Sequence, residues 1–338
     1  MRLGAAAVGL AFAVSVWAQS GVRAADVVAT VRTGLDAGHS DANIAKTLHK
    51  LKPAERLDDF VVEELESAGA GPKTESELER LAELSREMPE PSPAPVFQHP
   101  SPPGISDQER ILSAARRIAL NYSQSLPDFI CDETVRRFES PRGVWELKDT
   151  LEVKLSYFDQ KEEYQLLSRN GHLSTLSYRE VGGAVTEGEF GSTLLAIFAP
   201  ETQTKFAWAH WTTLRKRPAH VFTFRIDVAH STYRMEFGHR PGQAENRVVT
   251  GQHGTVYVDA ETDQVVRIVA DSDSIPPDFP VRTATTLLDY GFVGVGEHQY
   301  LLPLRAEVRM ATDNLHIRNL VEFHGYRRFA GESRITFH

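Results

Sequence analysis

Between Gly254 and Ala270 apolar and polar residues alternate in two runs separated by a short polar turn, the pattern of a β-hairpin. Val256 and Val258 face one side on the way out, and Val266 and Ile268 face the same side on the return. Thr255, Tyr257 and Gln264 take the other face, and Ala260-Glu261-Thr262-Asp263 supplies short polar side chains that bond local backbone. One face of this ribbon needs a core. The same alternation recurs where Leu151, Val153 and Leu155 interleave with Glu152, Lys154 and Ser156. It predicts strands over 129–138, 144–157, 163–168, 173–181, 206–214, 221–228, 232–237, 283–295, 300–311 and 315–329, and a short helix over 192–198. So many strands with one apolar face form an antiparallel sheet too large to lie flat. The fold class expected is α+β: a large sheet, curled into a half-barrel, with a covering helix.

The period changes to helical on the N-terminal side. Val27, Val31 and Leu35 mark a first amphipathic helix ending near Gly38. Ser40 opens a second with Ile44, Leu48 and Leu51; Pro53 opens a third with Leu57, Phe60, Val61 and Leu65, stopped at Gly69. Thr74 and Glu77 form a capping box for a fourth, which carries Leu78, Leu81 and Leu84, and Ser106 with Glu109 caps a longer one whose stripe runs from Ile111 to Tyr122. Seven prolines between Pro89 and Gly104 forbid helix and favour an extended spacer. The expected organisation is therefore a leader over 1–24, an acidic helical bundle over 25–88, a Pro-rich linker over 89–105 and the sheet domain over 106–338.

Met1-Arg2 followed by the apolar run Leu3 to Trp17 has the form of a secretory signal peptide, too short to span a bilayer. Two cuts fit, after Ala18 in Val-Trp-Ala and after Ala24 in Val-Arg-Ala; the later leaves the cleaner start. A periplasmic or secreted bacterial location follows. With Cys131 as the only cysteine, the chain can form no internal disulfide and carries no cysteine behind the leader to accept a lipid.

Charge narrows the partners. A formal net charge of −9, and a bundle with fourteen acidic against eight basic residues between Asp26 and Glu87, argue against nucleic acid, which requires a basic surface. The bundle is then a packing module, or one that docks an envelope protein.

Catalytic signals are weak. The thirteen histidines show no HExxH spacing, so no metal or other cofactor is expected. The chain lacks G-x-S-x-G, and Ser192 reads as a helix N-cap. The glycines of Gly291 to Gly296 precede a strand where a phosphate cradle would need a helix. Asp259, Glu261 and Asp263 sit in a turn without an apolar pocket, and Cys131 reads as a small buried side chain. No catalytic residue is assigned.

What remains is concavity. An inner face bearing Val256, Val258, Val266 and Ile268, with Phe279 and Val281 at its mouth, is what a carrier of an apolar ligand requires. The alternative is that the helix and the sheet's own side chains fill the same face.

The helix leading into long strands, the hairpin Gly254-Thr-Val-Tyr-Val-Asp-Ala-Glu-Thr262 returning as Val265-Val-Arg-Ile268, and the strand Tyr300-Leu301-Leu302-Pro303 after a glycine-rich turn resemble the LolA/LolB-like half-barrel family of periplasmic lipoprotein-sorting carriers. The resemblance spans roughly residues 106–338. It implies an open curled sheet with a helical lid, an apolar cavity for acyl chains and no enzymatic activity. The function expected is a non-enzymatic envelope protein that binds a lipid or lipoprotein acyl chain; the alternatives are a structural or interaction protein with a filled core and, last, a hydrolase.

Overall fold

The computed structural model describes residues 21–91, 101–141, 145–181, 190–215, 217–237 and 247–329. The segments 1–20 and 92–100, which include the leader and most of the proline run, lie outside the described residues. The chain divides into two compact units, residues 1–102 with the segment Trp211–Ala219, and residues 103–210 with 220–338.

The first unit holds four helices: α1 (Ala24–Asp36), α2 (Asp41–Leu48), α3 (Asp59–Ser67) and α4 (Pro72–Ser85). The helical spacing brings Val31, Leu48, Leu65, Leu78 and Leu81 into one core, each with essentially no exposure. Two starts differ from expectation, for physical reasons. Pro53 opens no helix, because it forms a parallel bridge with Val22, and α3 begins only after Asp58. The Leu57 N–H, which a helix would have bonded internally, donates instead to Ser85 Oγ at 2.9 Å. Thr74 is likewise no cap, since α4 starts at Pro72. The free N–H groups of that first turn are taken by a carboxylate from another helix: Lys73 N donates to Asp41 Oδ2 at 2.9 Å and Thr74 N to Asp41 Oδ1 at 2.8 Å. Burial would raise the Asp41 carboxyl, but the donors of Thr74 and Lys73 outweigh it and hold it below the ordinary aspartate range.

The second unit opens with α5 (Ile105–Leu120) and the single turn α6 (Tyr122–Ser125). Gly104 is the N-cap of α5, so Ser106 lies inside the first turn and the expected capping box is absent. The strands β1 (Phe129–Ser140), β2 (Glu146–Phe158), β3 (Lys161–Arg169) and β4 (His172–Leu173) follow, then α7 (Ser192–Phe198), β5 (Lys205–Leu214) and β6 (Arg217–Ile226). A small pair, β7 (Arg234–Glu236) and β8 (Arg247–Val249), precedes β9 (Gly251–Asp259), β10 (Val265–Asp273), β11 (Val281–Val295), β12 (His298–Thr312) and β13 (His316–Arg328). The strand expected over 173–181 shrinks to the two residues of β4, and 179–181 forms a 3-10 turn.

Eleven strands make one open sheet in the order β4-β3-β2-β1-β13-β12-β11-β10-β9-β6-β5, and every described register is antiparallel. The fold class read from alternation is the one observed. The opening hairpin is β9–β10, its turn organised by Asp259, whose Oδ1 accepts from Glu261 N, Thr262 N and Thr262 Oγ1 at 2.9–3.1 Å. One detail departs from the simple alternation. A register shift between Val265 and Arg267 makes Val265 the partner of Val258, with Val266 as the extra residue.

On one face of the sheet charged side chains stand in register across four strands: Arg267, Asp289, Arg305 and Glu322. Arg267 donates to both oxygens of Asp289 at 2.6 and 2.9 Å, and Arg305 donates to the same carboxylate at 2.9 Å. The Asp289 side chain is 1% exposed and that of Arg267 4%. Glu307 is held the same way by Arg318 at 2.7 Å and by Arg309.

Two outcomes are expected. Asp289→Ala leaves Arg267 buried without its carboxylate and should cost about 3–5 kcal/mol in urea unfolding, more than the double change Arg267→Met with Asp289→Leu. Asp41→Ala should lower the stability of the bundle by about 1 kcal/mol. Because the folded Asp41 carboxyl titrates below the unfolded value of about 3.9, its contribution is complete above that pH and is lost as pH falls through the folded value. The variant should therefore lose less stability than the parent over that acid range in a pH series of unfolding curves.

Candidate functional site: the apolar face of the sheet

The neighbouring row of side chains, on the opposite face, is apolar throughout. Val256 pairs with Ile268, Ile268 with Leu288, Leu288 with Ala306, Ala306 with Val321, Val321 with Val135, and Val135 with Leu151. Seven adjacent strands thus contribute one residue each to a continuous line, and none is more than 2% exposed. Six gaps of about 4.8 Å make this line roughly 29 Å long. It ends on β3 at Arg169, the partner of Leu151.

The structure places the six residues read from the sequence as follows. Val256, Val258 and Ile268 are fully buried on β9 and β10, and Val266 beside them is 6% exposed. Phe279 and Val281 are also buried, at 7% and 0%, in a cluster with Met235, Ala284, Val308, Met310 and Ile317. Val308 and Met310 follow Ala306 along β12 at the spacing of one face, so this cluster continues the apolar face beside the row.

The cover over this face is aromatic and helical. The stripe of α5 buries Ile111, Ala115 and Ala119, and α7 buries Leu194, Ile197 and Phe198. A ring cluster stands largely on the sheet itself: Phe129 of β1 stacks on Tyr157 of β2 with centroids 5.1 Å apart, and Phe190, just before α7, lies within 5.2–6.1 Å of Phe129, Tyr157 and Phe323 of β13. Tyr122 meets Tyr290 edge to face at 5.8 Å.

Three hydrogen bonds clasp the cover to the sheet and to itself. Tyr122 OH donates to Leu301 O at 2.8 Å, Tyr157 OH to Ser123 O at 3.0 Å and Ser123 Oγ to Phe190 O at 3.2 Å. The approach is close at Gly191, whose φ of +130° few L side chains adopt, and where a Cβ would lie 2.0 Å from Ser123 Oγ. Sequence reading placed Tyr122 on the apolar stripe of α5, and the break at Asn121 that turns it onto the sheet carries no strong sequence signal. The clasp was not legible, because a tyrosine on an apolar stripe does not reveal which main-chain carbonyl its hydroxyl will reach.

One buried polar set on this face is paired internally. Arg137 donates to both oxygens of Asp149 at 2.6 Å, and Arg169 adds a bond to Asp149 Oδ2 at 2.8 Å. Burial would raise the Asp149 carboxyl, but the two guanidiniums outweigh it and hold it below the usual carboxylate range. Cys131 is fully buried, and burial together with the nearby Glu133 carboxylate pushes its thiol far above the ordinary range. It is held as the neutral thiol, which is no nucleophile. Among the described residues no three His, Cys, Asp or Glu side chains come together as a metal site would require, and no helix is long and apolar enough to cross a membrane.

No family model matches the chain, and no curated protein does. Solved structures similar to it include an outer membrane lipoprotein-sorting protein domain from Vibrio parahaemolyticus, 12% identical, with a TM-score of 0.36 over 67% of this chain and 95% of that one. A LolA superfamily protein from Nitrosomonas europaea is 10% identical, with a TM-score of 0.31 over 67% of this chain and 96% of its own. A DUF1329 family protein from Desulfovibrio piger is 9% identical, with a TM-score of 0.31 over 66% and 95%. The first two bear the lipoprotein-sorting and LolA names of the group that the sequence resembles; the likeness is one of fold, and the reading of the site rests on the residues of this chain.

Proposed function

We propose that the sheet domain is a non-enzymatic carrier that takes an apolar or acylated ligand, a lipid or a lipoprotein acyl chain, onto the face bearing Val256, Val258, Val266 and Ile268, with Phe279 and Val281 at its mouth. The observation that carries this reading is the apolar row across seven strands beneath a cover of helices and aromatic side chains. An extended hydrocarbon needs contiguous apolar surface and little else, and each methylene it buries contributes about 0.8 kcal/mol. The ligand takes the place of the helical cover and of Phe190, while the strand-borne rings of Phe129, Tyr157 and Phe323 remain in the face that it meets. The three clasp hydrogen bonds set how readily that exchange happens. The chemistry of the face supports a carrier over an enzyme, since Asp149 is committed to two arginines and Cys131 is held neutral.

The chain acts in the periplasm or outside the cell, after removal of its leader, and the acidic bundle docks an envelope protein. A second reading has one observation in its favour: the six named residues are already between 0% and 7% exposed, as a permanently filled core would require. In that case the protein is a structural or interaction module whose sheet never opens.

Titration of the purified full chain with a fluorescent long-chain fatty acid, together with native mass spectrometry, separates the two. The carrier reading expects co-purified lipid or saturable uptake. Tyr122→Phe removes one clasp bond, about 1 kcal/mol, and should raise the population of the open cover, and with it the rate of uptake, about fivefold. A ligand-free chain that takes up no fatty acid either as the parent or as Tyr122→Phe would establish the filled core.

A further inference from the structure

The two candidate leader cuts are alike up to the scissile bond, since both place Val three residues and Ala one residue before it, in Val16-Trp17-Ala18 and Val22-Arg23-Ala24, and only the residues after it favour the later one. The fold distinguishes them. Val22 is 3% exposed and belongs to the core of the bundle. Its N–H donates to Lys52 O at 2.8 Å, and its carbonyl accepts from Ala54 N at 2.8 Å. Ala24 is 2% exposed, and its N–H donates to Glu55 Oε1 at 2.7 Å. Arg23 is the N-cap residue of α1, and its N–H and guanidinium both donate to Asp26 Oδ2 at 3.2 Å. Gly21 takes a φ of +40° against Ala54, where a Cβ would lie 2.8 Å from the Ala54 Cβ.

We infer that the leader is removed after Ala18 and that the mature chain keeps Val22, Arg23 and Ala24 as the lead-in that closes the helical bundle. The inference rests on the reading of residues 1–17 as a secretory leader; Ala18 itself enters through sequence alone. A cut after Ala24 would take away the backbone partner of residues 52–54 and a core valine. It would also place a new ammonium group at the first turn of α1, where the helix dipole disfavours positive charge. A cut after Ala18 leaves Gln19-Ser20-Gly21 ahead of Val22 and every one of these bonds in place.

The test is the N-terminal residue of the chain exported from a bacterial host, read by intact mass and N-terminal sequencing. Gln19 is expected, and Ala18→Leu should abolish processing while Ala24→Leu leaves the same N-terminus. An N-terminus at Ala25, or processing blocked by Ala24→Leu and not by Ala18→Leu, would overturn the inference and leave the leader intact as a reading. An uncleaved chain in the exported fraction would overturn the leader reading and the inference with it. As a second measure, chains starting at Gln19 and at Ala25 are unfolded in urea: the shorter should show a lower midpoint for the bundle, and equal midpoints would overturn the structural basis.

Discussion

An antiparallel sheet with one apolar face cannot leave that face in water, and the second unit is arranged around this constraint. Strand after strand places a valine, leucine, isoleucine or alanine in the same line, so the apolar surface grows with each strand added and so does the demand for a cover. The helices α5, α6 and α7 and the ring of Phe190 are the response. Their binding to the sheet is mainly non-directional, with the tyrosine and serine hydrogen bonds fixing where they sit. A cover held this way differs from a second sheet, whose own ladder would bind it as a unit.

The opposite face solves the register problem. Because side chains alternate with period two, a slip of one residue on any strand would carry Arg267, Asp289 or Arg305 into the core and an apolar residue out. Arginine and aspartate on adjacent strands, bonded in pairs at 2.6–2.9 Å, make such a slip doubly costly. Polar and apolar rows thus specify the same alignment from two sides.

Much of this was legible in the sequence because it is periodic. The strand positions, the bundle helices and the inward direction of Val256, Val258 and Ile268 all follow from spacing alone. What spacing could not show are features decided by a distant partner. Asp41 caps a helix it does not belong to, so Thr74 looked like the cap because it had the right neighbour at Glu77. Pro53 looked like a helix start until Val22 claimed its backbone. The bulge at Val266 and the shortened strand at His172 are local choices among conformations that alternation permits equally. The candidate site followed the same division: the burial of Val256, Val258 and Ile268 was readable by alternation, the bulge that sets Val266 apart was not, and neither was the clasp, since Tyr122 and Leu301 are brought together only by the finished sheet.

The pairing of β1 with β13 places the first long strand of the sheet beside the last. The middle of the sheet therefore cannot close until almost the entire domain has been synthesised, and the chain must bring together two ends separated by nearly all of its strands. Loop closure over that span is slow compared with hairpin formation, so this topology favours an order in which the hairpins on either side of the β1–β13 seam form before the seam joins them. During that interval the apolar row is split into two exposed pieces, and its completion is the moment at which the helical cover gains a continuous surface to bind. Assembly time, more than final stability, is then the quantity on which this topology places its heaviest demand.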